Sequence, residues 1–438
     1  MLIEFSVENY KSFKEKVEFS MIATNENRYS GRVFALPENS GILQIASIYG
    51  GNASGKSNFI SALKTLQAIV LGNSMPQAAI AVDPFRLDNE CLKKESTFDI
   101  KISINDKIYR YVVSATNFKI VGEKLVQICS DDSEKELYER NGSEVLIKTE
   151  NIGEIANEQE DLLNFLAKSK AVRDNQTFLR TTLEFNVKSF LPVWNWFRSS
   201  LSIIDPNINY QIGREFIDES SDANKELNRI LQSFDTGISR IGSEQIDIQL
   251  PSNVVEQVYN LPEGRSVTLF PTFANGDLIH IMREGGKIIP KKAVSFHTKS
   301  DGEEAFFGLA NESDGSKRVI GLLPAFMDIM SSNSNKVLLI DEVDRSLHTD
   351  LVSSLIERYL SCCSKKTKSQ LIVTTHNPLL LGQDIFRRDE VWFTERGPGG
   401  HSDMFSLCSF EDNGEDMKNY LQGRFGGIPN VMRFILEE

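Results

Sequence analysis

Residues 50–57 read GGNASGKS, and the organisation of the chain can be worked out from this stretch. It fits the pattern G-x-x-x-x-G-K-[ST], in which backbone N–H groups curve around a phosphate and the next helix adds the positive potential of its N-terminus. The apolar run QIASIYG before it predicts a strand, and NFISALKTLQAIVLG after it predicts a helix. The motif requires this strand–loop–helix context, although a glycine-rich turn could match the pattern by chance.

The motif assigns roles to its own residues. Lys56 is expected to reach the β- and γ-phosphates of a nucleotide, and Ser57 is expected to ligate Mg²⁺. The candidate ATP-binding residues are Gly50, Gly51, Asn52, Ala53, Ser54, Gly55, Lys56, Ser57 and Asn58.

A second motif lies far downstream, in KVLLIDEVDRSLH at residues 336–348. Its apolar residues run directly into Asp341 and Glu342, as in a buried parallel strand whose carboxyl end faces a ligand. Asp341 is expected to hold Mg²⁺, directly or through water, and Glu342 is expected to polarise the attacking water as general base. Either carboxylate alone could instead cap the next helix.

A third strand-like run, in QLIVTTHNPLLL at residues 370–381, leads into His376. A lone histidine is more often a core or surface residue than a catalytic one. Here the preceding strand directs the side chain to the same sheet edge as Asp341, which favours a contact with the γ-phosphate.

Composition limits the classes of function. The chain has 438 residues and 40% hydrophobic residues, and domains of about 100 to 200 residues give it room for two or three. The net charge of -13 and the pI near 5.1 argue against a protein that coats nucleic acid without specificity. They allow a local basic groove, because attraction depends on how the charge is distributed.

The N-terminus and the cysteines indicate the compartment. MLIEFSVENYKSF alternates apolar and polar residues, which predicts a strand and not a signal peptide. No apolar run approaches the roughly 18 residues of a membrane span. The five cysteines form no CxxC pair and predict free, buried thiols in a reducing cytosol. We therefore expect a cytoplasmic protein without contact to a membrane.

The strand and helix patterns predict an α/β fold with a split core. We expect the P-loop and a mixed or antiparallel β lobe in residues 1–150, and an insertion that is helical and then β in residues 151–300. Residues 301–438 are expected to complete a parallel α/β core. Within them, NESDGSKR at residues 311–318 precedes an apolar run and predicts a polar helix start. Taken alone, this stretch could be an ordinary capped helix.

Together, GGNASGKSN, ESDGSKR, LLIDEVDRSLH and IVTTHNP resemble the motifs of an ABC-type ATPase head of the RecF, SMC and OLD-nuclease kind. The opening LIEFSVENYKSF is similar to the first strand of such heads. The late GRFGGIPN resembles the ending of the RloA/AbiL-like and AriA-like ATPases of bacterial anti-phage defence. The resemblance covers roughly residues 1–115 and 300–438. It implies a P-loop head that binds ATP and Mg²⁺ and forms homo-oligomers through its nucleotide faces.

The resemblance also implies roles in trans. Ser313 and Gly315 match the signature motif, which contacts the γ-phosphate bound to the opposite subunit, although Glu-Ser-Asp-Gly-Ser departs from the transporter form Leu-Ser-Gly-Gly. Asp344 matches the loop that crosses the dimer interface. Lys317 and Arg318 could add cations near that surface or form a solvated helix face.

In the same family, catalysis is expected from Lys56, Glu342 and His376, the last of which matches the switch histidine. The glutamine that usually links the nucleotide to lobe movement is left open, with Gln77 and the following DPFRL as nearby residues.

The end of the chain shapes the functional hypothesis. Only about 40 residues follow the strand-like run EVWFTE, whereas a nuclease domain needs on the order of 100 residues to form a core. We therefore expect no nuclease domain in this chain and an ATP-hydrolysing sensor or scaffold of an anti-phage, abortive-infection system. It would control a separate nuclease or toxin, with DNA or a phage protein as the trigger.

Two alternatives stay open. One is a RecF-like ATPase of DNA repair or chromosome maintenance that binds DNA directly, and the other is a scaffold that binds ATP without hydrolysing it. A basic stretch could contact nucleic acid or could be an exposed β-ribbon. Its residues are Lys287, Lys291, Lys292, His297 and Lys299.

Overall fold

The structure is a computed structural model. It describes residues 1–36, 41–72, 78–153, 157–169, 172–206, 212–262, 266–269, 278–412 and 414–427. Gln77 and the last three residues of GRFGGIPN lie outside the described residues.

The described residues form the following strands and α-helices. The strands are β1 (Leu2–Glu8), β2 (Val17–Ser20), β3 (Phe34–Ala35), β4 (Gly41–Ile42), β5 (Ile45–Gly50), β6 (Ser96–Ile104), β7 (Lys107–Ala115), β8 (Ile120–Ile128), β9 (Glu134–Asn141), β10 (Glu144–Ile147), β11 (Leu201–Ile204), β12 (Arg240–Gln245), β13 (Ser266–Leu269), β14 (Ile279–Glu284), β15 (Lys287–Thr298), β16 (Glu304–Gly308), β17 (Val337–Ile340), β18 (Gln370–Thr375), β19 (Val391–Arg396) and β20 (Ser402–Ser406). The helices are α1 (Lys56–Leu71), α2 (Asn157–Lys168), α3 (Phe178–Glu184), α4 (Leu191–Asn195), α5 (Asp222–Leu231), α6 (Ser252–Tyr259), α7 (Asp314–Met330), α8 (Thr349–Cys362) and α9 (Asp416–Leu421).

The chain divides into two compact units. The first unit comprises Met1–Pro206, Ile329–Val343 and Ile356–Glu438, and the second comprises Asn207–Asp328 and Asp344–Leu355. The domain boundaries expected at residues 150 and 300 remain predictions.

An antiparallel sheet forms the β lobe of the first unit. Among the described residues its strands follow the order β10-β9-β8-β7-β6-β1-β2. A tight turn joins β6 to β7, and Asn105 and Asp106 occupy its two central positions with φ of 50° and 62°. These left-handed values match the turn type that suits the twist of a hairpin.

A second large sheet of the first unit is mainly parallel, with the order β11-β17-β18-β5-β19-β20, and among its described strands the β19–β20 pair alone is antiparallel. Strands β5, β17 and β18 are buried along their length, as the apolar runs predicted. This order brings the ends of β17, β18 and β5 side by side, which is where the three sequence motifs fall. Sequence analysis missed β11, whose four residues LSII carry too short a pattern to recognise.

Aromatic rings connect helix α1 to the β lobe. Phe59, in the first turns of α1, lies with its ring centroid 5.5 Å from that of Phe5 on β1 and 5.2 Å from that of Phe19 on β2. All three side chains are buried in one core with the apolar face of the lobe. The packing fixes the helix that follows the P-loop, since large buried rings stabilise by area and by edge-to-face geometry.

The second unit contains an antiparallel sheet in which β15 is central. The described strands follow the order β12-β15-β14-β13, and β16 also pairs with β15. A small apolar core lies under this sheet and includes Val254 and Val258 of α6 with Ile279 and Ile281 of β14.

Two expectations about the compartment can be compared with the structure. All five cysteines are free, but Cys91 is the one that is buried, whereas Cys362 and Cys408 are exposed. The prediction of buried thiols is therefore wrong for most of them, because Cys362 ends α8 and Cys408 lies in a short turn. No helix among the described residues combines the length and the apolar character that crossing a membrane requires.

Candidate functional site

Glycines let the P-loop pass close to its neighbours. Gly55 precedes α1 with a φ of 114°, and a Cβ there would lie 2.6 Å from Oγ of Ser402. A Cβ on Gly50 would lie 2.5 Å from Oγ1 of Thr394. Any side chain at either position would therefore clash with strand β19 or β20 and change the path of the loop. The loop needs this path to turn its backbone N–H groups toward a phosphate.

Lys56 lies at the start of α1 and is directed back over the P-loop. Its Nζ donates hydrogen bonds to the carbonyl oxygens of Gly50, at 2.6 Å, and Gly51, at 3.0 Å. The Nδ1 atom of His376 lies 3.2 Å from the same Nζ. Lys56 is only 4% exposed, and a buried ammonium group beside a helix N-terminus attracts an anion strongly.

The two acidic residues after β17 are held in different ways. Asp341 is 3% exposed, and its Oδ1 accepts a hydrogen bond from Oγ1 of Thr374 at 2.5 Å. Glu342 has a φ of 50°, a left-handed conformation that costs a non-glycine residue on the order of 1 kcal/mol. The carboxylate of Glu342 is partly exposed, so it can reach a substrate or a water molecule.

A cleft of about 380 Å³ brings most of the predicted P-loop residues together with Glu342 and His376, whereas Gly50, Gly51 and Asp341 do not line it. The Nε2 atom of His376 lies 3.8 Å from Oε1 of Glu342 across this cleft. The cleft is lined by Asn52, Ala53, Ser54, Gly55, Lys56, Ser57, Asn58, Glu342 and His376. The parallel sheet thus collects at one edge a cation, a carboxylate, an imidazole and a helix N-terminus.

These residues fit a nucleotide phosphate chain with Mg²⁺. The glycine-lined loop and the buried Lys56 provide donors for phosphate oxygens, and Ser57 and Asp341 provide the hydroxyl and carboxylate oxygens that Mg²⁺ prefers. No group of three or more His, Cys, Asp or Glu side chains among the described residues could hold a metal ion. A P-loop Mg²⁺ site needs no such group, because phosphates and water supply its other ligands.

The predicted signature residues lie in the second unit, at the start of α7. The Oγ atom of Ser313 accepts a hydrogen bond from the backbone N–H of Ser316 at 3.1 Å, which is the geometry of a helix N-cap. A Cβ on Gly315 would lie 2.9 Å from the carbonyl oxygen of Ser346. The chain segment that contains Asp344 therefore packs against the first turn of α7, and only glycine fits at that contact.

Side chains of β15 hold the residue before Ser313. Glu312 Oε1 lies 2.7 Å from Nε2 of His297 and accepts a hydrogen bond from Oγ of Ser295 at 2.5 Å. His297 of the predicted basic stretch is thus engaged with a carboxylate of its own unit.

Of the two cations after the signature, Lys317 forms an ion pair with Asp314, with Nζ and Oδ1 3.0 Å apart. Arg318 is only 4% exposed. The reading of Arg318 as part of a solvated helix face is therefore wrong, because the helix turns that side chain inward, and its contribution of charge near the dimer surface stays a prediction.

Several residues near the cleft were not identified from the sequence. Thr374 contacts Asp341, and Oγ1 of Thr394 lies 2.7 Å from Oγ of Ser54. The glycine-rich segment after α9 approaches the P-loop, since a Cβ on Gly427 would lie 3.6 Å from Cα of Gly50. These partners come from distant parts of the chain. The signal for Thr374 was its place two residues before His376 in IVTTHNP.

Comparison of the sequence with models of known protein families gives a match. A family model described as "AAA domain, putative AbiEii toxin, Type IV TA system" matches residues 45–382, a range that contains β5, the P-loop, the acidic residues after β17 and the strand that leads to His376. Because the match spans more than half of the chain, the protein belongs to this family of P-loop ATPases.

Solved structures with similar folds were also found. They include the SMC head domain from Thermotoga maritima, with a TM-score of 0.33 and 13% identity over 92% of this chain and 98% of that chain. An SMC head bound to the C-winged helix domain of ScpA has a TM-score of 0.36 and 12% identity over 92% and 97% of the two chains. The structure of the recombination mediator protein RecF with ATP has a TM-score of 0.30 and 12% identity, over 92% of this chain and 97% of that chain. No curated protein matches the sequence.

Proposed function

We propose that the protein binds ATP with Mg²⁺ in the P-loop cleft and hydrolyses it. The observation that carries this proposal is the meeting of Lys56, Glu342 and His376 at the adjoining ends of β5, β17 and β18. A phosphate-binding loop alone would support binding, whereas the carboxylate and the imidazole across the cleft supply the groups that hydrolysis needs.

Each residue has a distinct task in this mechanism. The P-loop N–H groups and Lys56 bind and orient the β- and γ-phosphates, and Ser57 and Asp341 would hold Mg²⁺. When bound, Mg²⁺ would neutralise charge on the phosphate oxygens. Glu342 orients a water molecule and accepts its proton, and His376 donates a hydrogen bond toward the γ-phosphate.

Ser313, Gly315 and Asp344 are proposed to act on the nucleotide of a second copy of this chain. The N-terminus of α7 would place backbone N–H groups and a hydroxyl against the γ-phosphate. ATP would then form part of a homo-oligomer interface through the nucleotide faces, and hydrolysis would weaken it. Binding energy would in this way be coupled to assembly.

The cellular role that we propose is that of a cytoplasmic sensor or scaffold in anti-phage, abortive-infection defence. The family description, which names a toxin–antitoxin system, supports this context. The ATPase would hold or release a separate nuclease or toxin, and DNA or a phage protein would act as trigger. Isolation of the native complex from its host tests this role: an associated nuclease or toxin supports it, and a complex with replication proteins contradicts it.

Phosphate release by the purified protein tests the biochemical proposal. Turnover that requires Mg²⁺ and stops on chelation supports hydrolysis. Stable ATP binding with no phosphate release would instead identify a nucleotide-gated scaffold.

Direct DNA binding is the second candidate function, because β15 carries Lys287, Lys291 and Lys292 on one hairpin. Such binding would fall steeply with salt and would be lost when the three lysines are neutralised. Tight duplex binding with both properties would favour the repair ATPase over the defence subunit.

A further inference from the structure

We propose that Thr374 is a positioning residue for hydrolysis, because its single hydroxyl group fixes both acidic residues of the cleft. The proposal rests on the proposed ATPase function and adds to it a residue that none of the sequence motifs assigns. Thr374 is fully buried near the end of β18 and does not line the cleft. It would therefore act through Asp341 and Glu342 and not on the nucleotide itself.

The hydroxyl of Thr374 makes two hydrogen bonds at once. Its Oγ1 lies 2.5 Å from Oδ1 of Asp341 and accepts the backbone N–H of Glu342 at 2.7 Å. The direction of both bonds follows from chemistry, since a backbone N–H can only donate. The hydroxyl hydrogen is then left for the carboxylate, so Thr374 donates to Asp341 and accepts from Glu342.

Strand register explains why one threonine reaches both residues. Strands β17 and β18 are parallel, with Ile340 beside Val373. The next residues along the two strands, Asp341 and Thr374, therefore also lie side by side. The backbone carbonyl oxygen of Thr374 accepts a further hydrogen bond from the backbone N–H of Val343 at 3.0 Å. Thr374 therefore binds three consecutive residues of the turn after β17, namely Asp341, Glu342 and Val343.

The left-handed backbone of Glu342 gives this contact a functional consequence. A glutamate leaves the left-handed region unless its surroundings hold it there, and the N–H of Glu342 is bound by Thr374. His376, two residues after Thr374, faces the carboxylate of Glu342. The end of β18 thus contacts Glu342 twice: Thr374 holds its backbone N–H, and His376 lies beside its carboxylate. Loss of the hydroxyl would displace the general base while leaving Lys56 and the P-loop in place.

The test compares Thr374→Val, which keeps the shape but lacks the hydroxyl, with Thr374→Ser, which keeps the hydroxyl. We expect Thr374→Val to lower kcat about 100-fold, as misplacement of a reacting group does, with little change in the Kd for ATP. Thr374→Ser should retain most of the turnover. Thr182→Val serves as the control, because Thr182 is a fully buried threonine on α3 whose hydroxyl donates to the Leu179 carbonyl of the same helix and which does not line the cleft.

Each outcome supports or overturns the proposal. Turnover by Thr374→Val equal to that of the wild type overturns it, and so does a failure of Thr374→Ser to rescue activity. A parallel loss of kcat, ATP affinity and melting temperature would show a merely structural role and overturn it as well. If Thr374→Val does not fold, Thr374→Ala takes its place in the same comparison. A wild-type protein without any turnover would overturn the proposed function itself, which separates that failure from a failure of this inference.

Discussion

The P-loop cleft and the start of helix α7 both carry residues that we propose to contact a γ-phosphate, yet they are built differently. In the cleft, Lys56, Glu342 and His376 come from separate parts of the chain and meet one another across a few ångströms. At α7, Ser313 makes its hydrogen bond within its own helix. The residues of the cleft all belong to one subunit, whereas the role that we propose for α7 depends on a second copy of the chain.

The largest effect is expected for Lys56→Ala. Removing the ammonium group deletes charged hydrogen bonds to the phosphates, which should weaken ATP binding roughly 10- to 150-fold and abolish turnover. Binding of a fluorescent ATP analogue measures the first effect, and phosphate release measures the second. Lys64→Ala is the matched control, since Lys64 lies on the same helix, is half exposed and pairs with Asp205. Equal ATP affinity in Lys56→Ala and Lys64→Ala would contradict the assignment of the cleft.

Ser313→Arg should separate the two regions. We expect the monomer to bind ATP normally, while hydrolysis and nucleotide-dependent assembly are lost, because a long cation replaces the hydroxyl at the face proposed to meet the neighbouring nucleotide. ATP binding, phosphate release and light scattering with and without ATP measure these effects.

The loss of the helix cap must be controlled in that experiment. Replacing a capping serine costs about 1 kcal/mol, so Ser313→Asn, which removes the hydroxyl but can still cap α7, shows how much of any effect remains when the cap is kept. Normal hydrolysis by Ser313→Arg would reduce Ser313 to a helix cap.

A smaller effect concerns the stability of the first unit. The Glu390 carboxylate is buried and contacts Arg32, with Oε2 and Nη2 2.7 Å apart. Burial raises the pKa of Glu390 from 4.5 to about 7, so the folded state binds a proton more tightly than the unfolded chain does. Stability should therefore fall as pH rises from 4.5 to 7, by up to roughly 3 kcal/mol. Glu390→Gln should remove this loss, as urea unfolding at pH 5 and pH 8 can show. An identical pH dependence of stability in the wild type and in Glu390→Gln would refute this role of Glu390.

The second unit should respond to pH in the opposite direction. His280 on β14 is buried, and desolvation lowers the pKa of its imidazole from 6.5 to about 4. Its contribution to stability should therefore be retained above pH 6.5 and lost as pH falls toward 4. Hydrogen exchange of peptides from β13 and β14 at pH 5 and pH 7.5 would detect this loss. In His280→Asn, hydrogen exchange of the same peptides should depend less on pH. An unchanged pH dependence in this variant would exclude His280 as the cause of the loss of stability.

The contrast between the two regions also explains what the sequence could predict. The P-loop, the acidic pair after β17 and His376 were recognisable because each is a short contiguous motif at the end of an apolar strand. The capped start of α7 was equally readable, since Ser313 precedes an apolar run. These signals are local, and local patterns are what a sequence displays.

Contacts between distant residues could not be predicted in the same way. Ser54 and Thr394 are 340 positions apart, and their contact follows from the order of strands in the sheet. The sequence shows a threonine at position 374 but does not show that it pairs with Asp341, because that pairing depends on the register of β17 and β18. The burial of Arg318 was missed because a charged residue at a helix start is usually solvated.

Single-turnover hydrolysis by Glu342→Gln tests the central claim most directly. Glutamine preserves the size of the side chain but cannot accept a proton from water, and the loss of a general base lowers rates about 100- to 10,000-fold. We predict that the variant binds ATP with wild-type affinity, releases almost no phosphate and accumulates in ATP-bound assemblies. Undiminished phosphate release by purified Glu342→Gln would contradict the account.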